Sequence, residues 1–328
     1  MSRMLGWLAG VVMILLLSAG GSGAWMYSVF TQPASSVKKT TVIIPKGAGI
    51  TRITRILGEH GLISNALVFR LGAAVRGATT SLQAGEFLIP ANVSSDGVIK
   101  ILRSGKTVVR RLTIAEGLTT ADILSRLEQT DGLTGRIVST PGEGRLLPET
   151  YHFSYGDSRE ELITRMRNTM EATLKELWIT RKAGLPYKTP AEALVMASIV
   201  ERETGLVAER AKVAGVFVNR LNLGMKLQSD PTVIYGLGGT GGSLGRRLTR
   251  RDLTFDHPYN TYIHRGLPPG PIANPGRASL AAALNPGETN ALYFVADGSG
   301  GHAFARTLKE HNRNVAAWRK IRRTKRVP

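Results

Sequence analysis

Two glutamates close an almost wholly apolar stretch of the 328-residue chain, Ala193 to Val200 followed by Glu201, Arg202 and Glu203. On a helix, Glu201 follows Leu194, Ala197 and Ser198 along one face, and Glu203 follows Met196, Ile199 and Val200 along nearly the opposite one. A carboxyl held in apolar surroundings stays protonated toward neutral pH, and the negative end of a helix dipole adds to that. Such a group is the general acid that glycosidic bond cleavage requires. Because the two lie on different faces, only one can serve a given cleft. The plainer alternative is that both are last-turn residues in water, or partners of Arg202 and Arg210.

The elements that must position this chemistry are marked in the chain. Thr189, Pro190 and Glu192 read as N-cap, first helical turn and capping-box partner, and Gly205 stands at the stop. Upstream, residues 159–180 carry Leu162, Met166, Met170, Leu174 and Leu177 on one stripe, a core-facing helix. Downstream, LQSDPTVIY (227–235) and YNTYIHRGLPPGPIANP (259–275) mix aromatics, amides and rigid prolines, a composition suited to stacking and hydrogen bonding sugars in an open groove. Nearer the start, the β-branched run 41–44, the turn at Pro45–Gly47 and Ile50, Ile53, Ile56 and Leu57 form a strand and helix. Residues 112–127 repeat that plan, with a further strand at 87–89 and a short helix at 98–102.

After Arg3 no charge occurs until Lys38, so Met4–Phe30 reads as a membrane anchor, with a cleaved signal peptide as the alternative, and 31–39 as a polar linker. Lys and Arg number 43 against 24 Asp and Glu, a formal charge of +19 that favours polyanions or anionic headgroups. An exported chain argues against nucleic acid. The absence of cysteine excludes disulfides, thiolate metal sites and thiol nucleophiles. Ser35 and Lys38 spell S-x-x-K without its companion motifs, and Ser104–Thr107 lacks the first P-loop glycine because Lys100 stands there. The histidines show no metal-ligand spacing, and no cofactor is expected.

The ordered series LLPETYHF (146–153), ASIVERET (197–204), KVAGVFVNRL (212–221), KLQSDPTVIYG (226–236), YNTY with GLPPGPIANPG (259–276) and LYFVADGSGGHAF (292–304) closely resembles the YceG-like family over about residues 40–318. The resemblance implies an α+β protein: a single-pass inner-membrane anchor (1–30), a linker (31–39), a LysM-like and connecting βα subdomain (40–140), a mixed α/β catalytic domain on the periplasmic side (141–318), and a basic tail (319–328). It implies endolytic lytic transglycosylase activity on peptidoglycan, with Glu201 of the SIVE motif as acid and base. Gln228, Ser229, Asp230, Tyr235, Tyr259, Asn260 and Tyr262 are the expected groove residues, and Glu149 and Tyr151 the expected braces of the glutamate. Peptidoglycan strands, the inner membrane and a peptidoglycan synthase are the expected partners. A non-catalytic, membrane-anchored wall-binding scaffold is the rival reading.

Overall fold

The structure, a computed structural model, describes residues 2–33, 38–239 and 242–324. It divides into two compact units, one running to Arg110 and including His152–Asp157, the other holding Arg111–Tyr151 and everything from Ser158.

The first unit opens with α1 (Ser2–Thr31), of which Gly6–Thr31 is long and apolar enough to cross a bilayer. β1 (Thr40–Ile44) runs antiparallel to β2 (Gly85–Ile89), Thr40 opposite Ile89 and Ile44 opposite Gly85. Between them lie α2 (Ile50–Glu59) and α3 (Ala66–Val75), and α4 (Ser95–Ser104) follows. Val42, Ile44, Phe87 and Ile89 turn inward from the strands onto Ile53, Leu57, Phe69, Ile99 and Leu102, all buried. Burying such apolar area is the main favourable term. The expected strands and helices are present, but α3 was not anticipated: ALVFRLGAAV is apolar on almost every side, so it shows no helical stripe. Asn65 starts it by accepting hydrogen bonds from the Leu67 and Val68 amides. The segment expected as a polar linker, 31–39, is described only at its ends. Phe30 is buried in this unit's core and Pro33 bridges Ser94, while residues 34–37 lie outside those described.

The chain leaves this unit inside β3 (Val109–Thr113). α5 (Thr120–Glu128) and the two-residue β4 (Leu133–Thr134) follow, then β5 (Thr150–Ser154), which pairs with β3, and β6 (Asp157–Ser158), which pairs with β4. Compactness divides the chain near residue 110. The reason is bonding: Gly117 and Asn274 exchange backbone hydrogen bonds through the Asn274 and Leu118 carbonyls, and the Arg159 guanidinium donates to the Leu127 and Gly135 carbonyls.

The rest of the second unit is helical around one buried rod. α7 (Pro190–Glu203) packs against α6 (Arg159–Ile179), α8 (Val207–Asn222), α9 (Asp230–Gly238) and α10 (Arg277–Leu284). Its first turn has the expected capping box between Thr189 and Glu192, with Pro190 in the first turn. Every residue from Ala193 to Glu201 is buried, as a helix without a polar face requires. It ends because Thr204 turns extended, not through a left-handed glycine. A hairpin of β7 (Tyr293–Ala296) and β8 (His302–Ala305) precedes α11 (Leu308–Thr324), which packs on it and runs on past residue 319; the last four residues lie outside those described.

Candidate active site

The last turn of α7 sends its two carboxylates into different surroundings. Glu201 is sealed in, its side chain 4% exposed, and takes two donors: Arg210 Nη2 at 3.0 Å and the Gly276 amide at 2.9 Å. The same Arg210 nitrogen reaches Glu116 Oε2 at 2.8 Å. A Cβ at Gly276 would meet the Glu116 carboxylate and force it to move. Burial pushes the Glu201 pKa up, helped by the Glu116 charge, while the Gly276 amide and the Arg210 guanidinium pull it back. Arg202, between the two glutamates, donates to the Gly117 carbonyl at 3.1 Å.

Glu203 faces a cavity of about 550 Å³ on the other side and is part-exposed into it. Among the described residues it forms no ion pair; its hydrogen bond comes from the Ser229 hydroxyl at 2.5 Å. Burial pushes its pKa up to about 7, the Ser229 bond opposes that, and the neighbouring Asp230 charge adds to it. The helix end acts in the same direction, since the unsatisfied carbonyls of the last turn disfavour an anion. Ser229 is held from behind: its amide donates to Thr261 Oγ1 at 3.0 Å, and its carbonyl accepts from Thr232 at 2.7 Å. Gln228 before it adopts a φ of 51°, a left-handed backbone unusual for a residue with a side chain. Tyr262 donates to Asp230 at 2.6 Å. Across the cavity stand Arg220, Tyr293 and His302. Arg220 is buried, donates to the Leu292 carbonyl at 2.6 Å and the Leu227 carbonyl at 2.7 Å, and lies over the Tyr293 ring. His302 is clamped by Glu209, which accepts from its backbone amide at 2.9 Å and pairs with its Nδ1 at 2.7 Å.

A separate cavity of about 740 Å³ is walled by Glu143, Arg145, Tyr187, Tyr259 and the prolines of the 268–271 loop. Tyr235 and Tyr259 lie with ring centres 5.0 Å apart, and Tyr235 reaches toward Glu143 at 3.5 Å. Burial raises the Glu143 pKa against the hydrogen bonds it accepts from Thr120. Thus Gln228, Ser229, Asp230 and Tyr262 gather around Glu203, whereas Tyr259 lines this second cavity and Tyr235 packs against its ring. Asn260 does not face either space. It is 1% exposed, and its amide is spent on the Leu253 and Phe255 carbonyls and the Tyr262 amide. Tyr151 is also committed, donating to the Leu147 carbonyl at 2.8 Å, and Glu149 is exposed. Reasoning from sequence set Glu203 aside and passed over Glu143, Arg220 and the Glu209–His302 pair. The motif 292–304 does contain Tyr293 and His302, but nothing local ties them to residue 203. No group of His, Asp or Glu suited to a metal occurs among the described residues.

The fold and this site define a class: α+β proteins that carry a carboxyl at the end of a buried helix, opening on a polar, aromatic cavity. The YceG-like family pattern matches residues 42–317. An endolytic murein transglycosylase of Bacillus subtilis (strain 168) is 33% identical over 329 residues, covering 89% of each chain. One of Streptococcus pneumoniae serotype 2 (strain D39 / NCTC 7466) is 31% identical over 93% of this chain, which spans 64% of that longer protein. The crystal structure of a yceG-like protein from Listeria monocytogenes superposes with a TM-score of 0.51 at 34% identity, covering 85% of this chain and 99% of the other. The chain belongs to the YceG-like family.

Proposed function

We propose that the chain is an endolytic peptidoglycan lytic transglycosylase and that Glu203, rather than Glu201, handles the proton. The observation that carries the assignment is the contrast at the end of α7. Glu203 opens into a cavity, and burial raises its pKa toward neutrality against a single hydroxyl donor, whereas Glu201 is closed off by an arginine and a backbone amide. A carboxyl with a pKa of about 7 is protonated often enough to act as an acid and ionised easily enough to act next as a base. In this reading Glu203 protonates the oxygen joining N-acetylmuramic acid to N-acetylglucosamine, and an oxocarbenium-like centre forms at C1. The resulting carboxylate takes the proton of the muramic acid 6-hydroxyl, whose oxygen closes onto C1 as a 1,6-anhydro ring. Neither a protein nucleophile nor an attacking water takes part. Tyr262, Asp230 and Gln228 offer hydrogen bonds to the sugars, and the Tyr235–Tyr259 pair extends the binding surface. α1 anchors the chain in the inner membrane with the second unit on the periplasmic side, and the β1–α2–α3–β2 order of the first unit supports a LysM-like, wall-binding role.

The test is mass analysis of products from purified peptidoglycan. Wild type and Glu201→Gln, if folded, release anhydro ends and Glu203→Gln releases none. Full activity in Glu203→Gln with total loss in a folded Glu201→Gln would return the role to Glu201. Reducing ends would make the enzyme a hydrolase, and no product from the wild type would leave a wall-binding scaffold.

A further inference from the structure

We propose that α3 is an interfacial helix, lying in the boundary between headgroups and acyl chains of the same bilayer that α1 crosses, with Leu67, Leu71 and Val75 turned into the lipid. The inference rests on the reading of α1 as a membrane span. Those three residues recur every four positions and so share one helical face. They are 55%, 46% and 87% exposed, and Ala74 on the same face is exposed too. Isolated exposed leucines need no explanation, but a row of them does.

This row is continuous with the end of α1. Leu71 and Val75 line an apolar groove of about 420 Å³ together with Met26, Tyr27 and Phe30. Gly72 lets Phe30 seat directly against the α3 backbone, where any Cβ would collide with the ring. The depth of that contact follows from length. Gly6–Thr31 comprises 26 residues. At about 1.5 Å per residue it exceeds a hydrocarbon core of about 30 Å, so its last turns stand among the headgroups. Trp25 and Tyr27, 56% and 69% exposed, are the side chains that favour this level. α3, fixed to Phe30, is therefore at interfacial depth, and its outward face meets lipid instead of water. Arg70 and Arg76 flank it; Arg76 stacks near Phe30 and is tied to Asp96 at 2.9 Å. Long basic side chains at such edges bury their stems and reach anionic headgroups.

The chain contains no cysteine, so single labels are specific. Full-length Leu67→Cys, Leu71→Cys and Val75→Cys, each carrying a polarity-sensitive fluorophore, are reconstituted in phosphatidylethanolamine–phosphatidylglycerol vesicles that contain nitroxide-labelled lipids. Leu15→Cys reports the middle of α1, and Arg55→Cys reports the exposed side of α2. The α3 labels should shift to the blue and be quenched by shallow nitroxides about twofold or more beyond the Arg55 label. The Leu15 label should respond to deep nitroxides. A deep response at residue 15 with α3 labels that behave like residue 55 overturns the inference and leaves the anchor intact. No response at residue 15 removes the anchor reading, and this inference with it. Disulfide-linked pairs of unlabelled Leu71→Cys, together with no quenching of the labelled protein, would assign the face to a second copy and equally overturn it.

Discussion

Glu201 and Glu203 stand two residues apart on one helix, in the same turn, and the protein treats them in opposite ways. Around Glu201 it supplies a guanidinium and a main-chain N–H, both aimed at the oxygens, and excludes solvent. Around Glu203 it supplies one hydroxyl, keeps Asp230 close enough to raise the pKa, and leaves a way in from outside. A buried carboxyl among cationic and amide donors ties elements together: here α7, α8, the Glu116 turn and the start of α10. A carboxyl that lacks them and borders a cavity suits the proton transfer proposed for Glu203. Apolar burial of the helix is common to both, so burial alone does not identify a reactive group; the partners do.

The sharpest way to break this contrast is turnover. Glu203→Gln should lower it by on the order of 10³-fold, read as anhydro product per minute, because the amide has no transferable proton. Glu201→Gln should keep most of the turnover of whatever fraction folds. Stability should rank the two in reverse. Arg210→Met leaves Glu201 and Glu116 without their shared cation, and should cost about 3–5 kcal/mol in chemical denaturation. Glu203→Gln should instead stabilise, and only at high pH. The folded pKa, about 7, lies above the ordinary 4.5, so the native state binds the additional proton between those values and loses stability as pH rises through about 7. The variant and the wild type should melt alike near pH 4 and differ by about 3 kcal/mol at most above pH 8. A variant that is less stable across the whole range would mean Glu203 is a structural residue.

Ser229→Ala sharpens the comparison further. Ser229 donates to the carboxylate and so lowers its pKa; without it, the alkaline limb of the turnover profile should move to higher pH, with kcat down about tenfold. An unmoved limb would show that another group sets it. The smallest effect is expected farthest from either glutamate. Replacing Arg319, Arg322 and Arg323 at the end of α11 with Gln should weaken retention on whole peptidoglycan or anionic vesicles as added salt does, since exposed charges are screened over roughly 8 Å at physiological ionic strength. Turnover of a short glycan should not change, and a parallel fall would place these arginines in the binding groove.

The buried rod α7 was legible because its capping box and uniform apolarity are local, and so was the interior face of α6. Which glutamate meets the cavity was not legible. Helical spacing separates the faces of Glu201 and Glu203, yet it does not say that Arg210, one turn into the next helix, and Gly276, in a distant loop, converge on one of them. Gln228, Ser229, Asp230 and Tyr262 were singled out by composition, and the fold places them around Glu203. Asn260 looked identical by that criterion and turned out to be a loop brace, because an amide that crosslinks its own backbone has the same letter as one that binds a sugar. His302 and Glu209 are 93 positions apart, and their pairing is a property of the fold alone.

The φ of 51° at Gln228 has a bearing on engineering. A side chain in the left-handed region is disfavoured by about 1 kcal/mol or more, and glycine would relieve it. A consensus or computational search for heat-resistant versions of this chain would thus be drawn to Gln228→Gly. Yet the next residue's hydroxyl is bonded to Glu203, and a glycine at 228 would loosen the backbone that leads into it. With Glu203 in the role proposed above, position 228 sets thermal robustness against the geometry of the site, and it is best left out of any stabilising library.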